Sequence, residues 1–97
     1  MYLTTTNIRK HIQEINNYCL DMEAGIEAID RGESWIIRIV PIDGLNGFRF
    51  SEEARVLYIG SGKNQKAKKL KSKKAIYNLA DRYGISHSNV SFHSDYP

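Results

Sequence analysis

The first thirty residues carry an apolar stripe with the spacing of a helix. Such a stripe predicts a long amphipathic helix over residues 7–31, capped by Thr6 or Asn7 and ended by Arg31-Gly32. Three heptads with an apolar seam are also typical of a coiled coil, so the helix either packs on the protein's own sheet or joins a homodimer. The members of the stripe recur at intervals of four and three residues: Ile8, Ile12, Ile15, Cys19, Met22, Ile26 and Ile29.

Three apolar segments further along the chain predict strands. Residues 34–40 (SWIIRIV) are almost continuously apolar and rich in β-branched side chains, which favours a buried strand. Pro41 either ends the ladder of this strand or places the strand near an edge. Residues 55–59 (RVLYI) give a second strand, antiparallel to the first if the connection between them is a simple hairpin excursion. Near the end of the chain, apolar Val90 and Phe92 alternate with polar residues, which indicates a last short strand.

The segment after the second strand combines a glycine turn with a dense run of lysines. Gly60 and Gly62 bracket Ser61, so the backbone can turn sharply and expose its N–H groups. Seven lysines follow within twelve residues, namely Lys63, Lys66, Lys68, Lys69, Lys71, Lys73 and Lys74. The lysines are followed by apolar residues at helical spacing, which predicts that the lysines lie on a basic helix. This helix would pack on the rest of the protein through Ala75, Ile76, Leu79, Ala80 and Tyr83. A strand, a glycine turn and a basic helix together suit phosphate oxygens.

These elements predict a single α+β domain over residues 1–97. Its expected architecture is a small three-stranded, mainly antiparallel sheet, with the long N-terminal helix and the basic helix packed on it. The composition, 41% hydrophobic and 26% charged over 97 residues, is that of a folded domain rather than a disordered chain.

Charge is distributed unequally along the chain. Residues 1–54 hold five Lys/Arg and nine Asp/Glu, a net −4, whereas residues 55–97 hold nine and two, a net +7. The single cysteine, Cys19, excludes an internal disulfide and cannot build a zinc site alone, and its place in the stripe predicts a buried, inert thiol. No apolar run has the length of a signal peptide or a membrane span, so a cytoplasmic protein without a cofactor is expected.

The order of these parts resembles the GIY-YIG nuclease domain. Tyr58-Ile59-Gly60, the extension SGKN, the basic segment and the later RYGIS-x-x-NVSF carry the resemblance, which covers residues 34–93. The resemblance implies the fold of that domain and nucleic acid as the partner.

The catalytic positions of that family are not matched in this sequence. Aligning residues 34–40 with the family's first motif puts Ile37 where a tyrosine is expected, whereas Tyr58 keeps the second tyrosine. The family's arginine falls on Lys68, which keeps the charge but not the planar fork that grips a phosphate. No glutamate follows Glu53 to hold the divalent metal. The resemblance therefore implies a domain without nuclease activity, of the kind that phages and mobile elements carry.

The leading functional prediction is binding of DNA or RNA without catalysis. The residues assigned to that surface are Tyr58, Ser61, Lys63, Lys66, Lys68, Lys69, Lys71 and Lys73. The alternative is a protein-binding inhibitor or adapter that acts on a host or defence nuclease through either the acidic N-terminal helix or the lysine surface.

A further alternative is a helix-turn-helix DNA-binding protein. In that interpretation Gly84 makes the turn, and a recognition helix starts at Ser86 and includes Val90. His87 and His93 stand six residues apart without Cys or Glu partners, so they are interpreted as surface residues and no metal site is predicted.

Overall fold

The computed structural model describes residues 2–94; residue 1 and residues 95–97 lie outside the described part. Within that range the chain forms two α-helices, Ile8–Tyr18 (α1) and Lys73–Arg82 (α2), and a seven-stranded sheet. The α+β class agrees with the sequence, but the predicted three-stranded, mainly antiparallel sheet is wrong. The strands are β1 (Leu3–Thr4), β2 (Met22–Asp30), β3 (Trp35–Asp43), β4 (Arg55–Ile59), β5 (Lys66–Ala67), β6 (Lys69–Leu70) and β7 (Val90–Ser94).

The sheet is mixed, with the main order β1-β4-β3-β2-β7. The three central strands form an antiparallel meander, so the predicted antiparallel pairing of the strands at residues 34–40 and 55–59 is confirmed. Parallel strands complete both sides, because β1 pairs with β4 and β7 pairs with β2. The two short strands β5 and β6 pair with β4 and β3 respectively. The sheet is larger than expected because three of its strands come from segments that the sequence assigned to helices.

The N-terminal helix is less than half its predicted length. It ends at Tyr18, and the backbone of Cys19 is already extended at φ −155° and ψ 171°. Residues 22–30 form β2 and pair with all nine residues of β3, because the segment AGIEAI alternates between the two sheet faces as well as it fits a helix. Cys19 is exposed, so the prediction of a buried thiol is wrong. The Arg31-Gly32 pair turns between β2 and β3, with Gly32 at φ 92°.

The first half of the apolar stripe behaves as predicted. Ile8, Ile12 and Ile15 are at most 6% exposed and pack in the same core as Ile26 of β2. The interpretation of a helix packed on its own sheet is therefore confirmed for α1. The continuous coiled-coil seam of a homodimer is wrong, because the second half of the stripe lies on a strand.

The predicted basic helix is also wrong over most of its length. Gly60 turns the chain at φ 81°, a short 3₁₀ turn covers Gly62–Asn64, and β5 and β6 follow. The backbone of this segment finds partners in the sheet, as shown by the Lys68 N–H, which donates to the Leu57 carbonyl at 2.9 Å. α2 begins at Lys73, where the Ser72 hydroxyl accepts from the Ala75 N–H at 3.1 Å. The predicted docking face is confirmed for Ile76, Leu79 and Ala80, which are buried, whereas Ala75 and the C-terminal Tyr83 are half-buried.

β3 runs through Pro41 and ends at Asp43, so the alternative in which Pro41 ends the ladder is wrong. Pro41 pairs with Ala24 of β2, and its carbonyl accepts from the Phe50 N–H on the opposite side. In an antiparallel ladder the N–H and C=O of one residue point the same way. The missing N–H of Pro41 therefore points away from β2, and the β2–β3 ladder loses no hydrogen bond.

Both helices pack on one face of the sheet, and the main core lies between this face and the two helices. The other face, called here the open face, is covered at one end by the connection between β3 and β4. The predicted last strand is confirmed as β7, and Val90 and Phe92 pack against the core. Residues 87–89 form a 3₁₀ turn rather than a recognition helix, so the helix-turn-helix interpretation is wrong. The buried residues that share the core include Leu3, Ala24, Ile26, Ala28, Ile37, Ile39, Leu57 and Ile85.

Candidate nucleic-acid interface

Residues 60–72, called here the lysine arm, lie along one end of the sheet. Lys69 pairs with Ile36 of β3, and Lys66 pairs with Ile59 of β4. Lys68 is half-buried, whereas the other lysines predicted for the site are exposed. The arm is therefore an extension of the sheet with cations on both of its sides.

Strand register places one lysine of the arm on the open face. Directly paired residues share a face, and the pairs join Lys69, Ile36, Ile29 and His93 in one row across four strands. Neighbouring strands are about 4.8 Å apart, so the two ends of this row are separated by roughly 14 Å between Cα atoms. Half-buried Ile29 and Ile36 form an apolar floor between a lysine and a histidine.

The next row of the open face carries charge at its centre. Its members are Val56, Arg38, Glu27 and Ser91, again joined by direct pairing. Tyr58 lies two residues beyond Val56 on the same face, and its ring packs edge-on against Tyr2 at 4.7 Å between centroids. The open face thus combines apolar and aromatic side chains with cationic ones.

Two predicted site lysines, Lys66 of the arm and Lys73 at the start of α2, lie on the helix side of the sheet. Ile59, the partner of Lys66, alternates with Val56 and Tyr58 and so belongs to the helix side of the sheet. The Lys73 ammonium lies 4.9 Å from the ring centroid of Phe92, which packs against the core on the same side. The predicted site residues are therefore divided between the two faces. Ser61 is exposed in the turn that precedes the 3₁₀ segment.

A buried carboxylate organises the open face. Glu27 is 1% exposed, and its Oε1 accepts from Arg38 Nη2 at 2.7 Å. The Ser51 hydroxyl donates to Oε2 at 2.7 Å, and Arg49 Nε and His93 Nε2 lie 3.8 and 3.9 Å from the same oxygen. These five residues are called here the Glu27 centre. The cations and hydrogen-bond donors around this carboxylate offset the cost of its burial.

Arg49 acts as a structural clamp within the Glu27 centre. Its Nη2 donates to the carbonyl of Ile26 at 3.2 Å and to that of Asn89 at 2.9 Å. Burial lowers the pKa of Arg49 and the Glu27 carboxylate opposes that shift, so the guanidinium remains charged at neutral pH. Arg49 thereby ties the β3–β4 connection to β2 and to the turn before β7.

Arg38 and His93 are the most exposed basic members of the Glu27 centre, since the side chain of Arg49 is only 23% exposed. Their side chains are 33% and 41% exposed. His93 Nε2 also lies 2.6 Å from the Ser91 hydroxyl, so one ring nitrogen faces both the serine and the carboxylate. A serine–histidine–carboxylate relay needs the two partners on different ring nitrogens, which this geometry does not provide. With two guanidiniums around one carboxylate, the centre presents net positive charge to an anion.

Sequence reasoning missed the Glu27 centre, although a signal was present. Glu27 interrupts the apolar run AGIEAI, and Arg38 interrupts SWIIRIV in the same manner. Two isolated opposite charges inside two apolar strands are typical of a paired buried site. The assignment of residues 22–30 to a helix hid this relationship, because it removed the strand on which Glu27 lies opposite Arg38.

The residues aligned with the two tyrosines of the GIY-YIG family are not brought together. Ile37 is fully buried on the helix side of β3, whereas Tyr58 lies on the open face. No protein-family model, curated protein or solved structure matches the chain. The resemblance to that family therefore stays a prediction.

The described residues offer no ready metal site. Across residues 2–94, no group of three or more His, Cys, Asp and Glu side chains is placed to hold a metal ion. His87 instead pairs with Asp81 at 2.6 Å and packs on the Tyr77 ring at 4.7 Å. No helix of the same part of the chain is long and apolar enough to cross a membrane.

Proposed function

We propose that this protein binds the phosphate backbone of nucleic acid along the lysine arm and the adjoining open face, without cutting it. The observation that carries the proposal is the row formed by Lys69, Ile36, Ile29 and His93. Through this row, the positive charge of the lysine arm continues onto an apolar strand surface. The side chain of Arg38 is partly exposed on the same surface.

The chemistry of this surface suits a polyanion. Exposed ammonium groups neutralise phosphates without a fixed geometry, and the half-exposed guanidinium of Arg38 adds planar N–H donors. The apolar floor and Tyr58 can contact sugars and bases. Backbone contacts of this kind fix position but do not distinguish sequences, so the proposed binding is sequence-independent.

The absence of cleavage is part of the same proposal. Its support is the placement of the residues that align with a nuclease motif, since Ile37 is buried in the core and Tyr58 lies on the opposite face. We expect no metal-dependent cleavage of plasmid, linear DNA or RNA by the purified protein. Cleavage in magnesium or manganese that is lost in Tyr58→Phe would contradict this part of the proposal.

Fluorescence anisotropy with labelled single-stranded RNA, single-stranded DNA and duplex DNA tests the binding. The affinity should fall steeply as salt is raised, with a log–log slope of about −0.7 per phosphate contact for single strands and about −0.9 for duplex DNA. A flat salt response would show that phosphates are not the ligand.

Two double charge reversals among the predicted site lysines test which face is used. Lys69→Glu with Lys71→Glu includes the lysine of the open-face row, and Lys66→Glu with Lys73→Glu makes the same net charge change at two lysines of the helix side. The first pair should weaken binding more strongly than the second. Equal weakening would leave only general attraction to the arm, and no effect from either pair would exclude the proposed nucleic-acid function.

A further inference from the structure

A groove lies at the other end of the sheet, beside the C-terminal half of α1. Its floor is apolar and consists of Ile15, Met22, Pro41 and Phe50. The cavity has a volume of about 400 Å³, which is enough for one or two large side chains. The residues at its rim are Glu14, Tyr18 and Glu53.

Exposed apolar side chains continue from the rim of the groove. Tyr18 is 79% exposed and Leu20 is 97% exposed, in the segment where α1 ends and β2 begins. Leu45 is 79% exposed in the turn after β3. The Gly44 N–H donates to the Asp21 carbonyl at 2.7 Å, which holds these two segments together. Exposed apolar side chains beside a groove with a polar rim are typical of a protein–protein contact.

The charge of this end is opposite to that of the lysine arm. Both charged residues that line the groove are glutamates, and the nearest cation on α1, Lys10, lies one turn before Glu14. Further carboxylates occur in the segments next to the groove along the chain, namely Asp21 before β2, Asp43 at the end of β3 and Glu52 in the β3–β4 connection. Such a surface repels nucleic acid and attracts basic protein segments.

We propose that the groove docks a basic segment of another protein, with an apolar side chain in the cavity and flanking Lys or Arg side chains against Glu14 and Glu53. The proposal goes beyond nucleic-acid binding and does not depend on it. Together the two surfaces would make the protein an adapter between a polyanion and a basic partner.

A second copy of this chain is a poorer occupant of the groove. The part of a second copy that would complement the charge of the groove is the lysine arm. The apolar residues of the arm are half-buried, since Ala67 pairs with Tyr58 and Leu70 pairs with Trp35. The arm therefore offers charge without a free apolar anchor. Head-to-tail docking of this kind would also build rings or open chains rather than a closed two-fold dimer.

Titration of the ¹⁵N-labelled full-length protein with two blocked peptides tests the proposal. The first has tryptophan and leucine between two arginines, and the second has the same apolar pair between two glutamates. The basic peptide should shift the amide signals of Ile15, Tyr18, Met22 and Phe50 saturably, and the acidic peptide should not. Absence of these shifts, or equal shifts with the acidic peptide, would overturn the proposal.

Charge reversal at the rim provides the matched variant. Glu53→Lys should weaken binding of the basic peptide by about tenfold, whereas Glu33→Lys, an exposed reversal in the β2–β3 turn, should leave it unchanged. The Lys69→Glu/Lys71→Glu protein should also bind the peptide normally, so failure here and failure of nucleic-acid binding are distinguishable. Equal effects of Glu53→Lys and Glu33→Lys, or self-association that shifts the groove signals without peptide, would overturn the assignment.

Discussion

The carboxylate of Glu27 and the guanidinium of Arg38 face each other across β2 and β3, with Arg38 Nη2 2.7 Å from Glu27 Oε1. The acid is 1% exposed and the base is 33% exposed, so the pair joins the interior of the sheet to its open face. Desolvation of such a carboxylate is costly, and the hydroxyl of Ser51 and the guanidinium of Arg49 offset that cost.

Removal of the Glu27 charge should destabilise the protein. Glu27→Gln leaves Arg49 and Arg38 without their counter-ion, and loss of one partner of a buried pair costs about 3–5 kcal/mol. We expect a value at the low end of that range, because both guanidiniums are partly exposed. Urea unfolding measures the difference, with exposed Glu33→Gln as the control, expected within about 0.5 kcal/mol of wild type. Equal stability of both variants would show that the Glu27 centre contributes nothing to folding.

Two apolar residues of the N-terminal segment should differ sharply in their contribution to stability. Ile12 is 6% exposed in the core and Leu20 is 97% exposed. Ile12→Ala should therefore cost about 2–5 kcal/mol, whereas Leu20→Ala should change the free energy of unfolding by no more than about 0.5 kcal/mol. A large loss in Leu20→Ala would mean that Leu20 is covered in solution, and sedimentation would then identify a self-associated form.

A methyl group at Gly25 should disturb the open face. The added Cβ would collide with the side chain of Ile42 and lie 2.8 Å from the carbonyl oxygen of Asn89, which Arg49 holds by a hydrogen bond. Gly25→Ala should cost about 1–3 kcal/mol, as overpacking does in other cores. Thermal unfolding measures this, and unchanged stability would show that the turn at residues 87–89 moves aside without loss.

Acid should weaken the fold through His11. Burial of the ring lowers the pKa of His11 from its ordinary 6.5, the positive charge of Arg55 lowers it further, and Glu14 partly opposes both. Below about pH 6.5 the unfolded chain binds a proton that the folded chain does not bind, so stability falls as the pH falls through 6.5 toward the lowered value.

The variant His11→Gln isolates this contribution, because glutamine does not titrate. Its urea midpoint should fall less between pH 7.5 and pH 5.5, a range of roughly one unit on each side of the ordinary histidine pKa. Parallel pH profiles for wild type and variant would show that another group governs the acid sensitivity.

The sequence alone determined the features that depend on local pattern. Helical spacing identified Ile8, Ile12 and Ile15 as the buried face of α1, and the apolar run at residues 34–40 identified a buried strand. The glycine turn and the alternation at the end of the chain were equally visible, because turns and short strands follow from nearby residues.

Only the tertiary structure decided the secondary structure of residues 22–30 and of the lysine arm. Apolar residues at spacings of three and four fit a helix, but AGIEAI also fits a strand, and pairing with β3 on one side and β7 on the other selects the strand. The lysines favour a helix locally, yet their backbone N–H and C=O groups find partners in β4 and β3 before Ser72 starts α2. Glu27 meets Arg38, Arg49 and His93 through these long-range pairings, which no local pattern specifies.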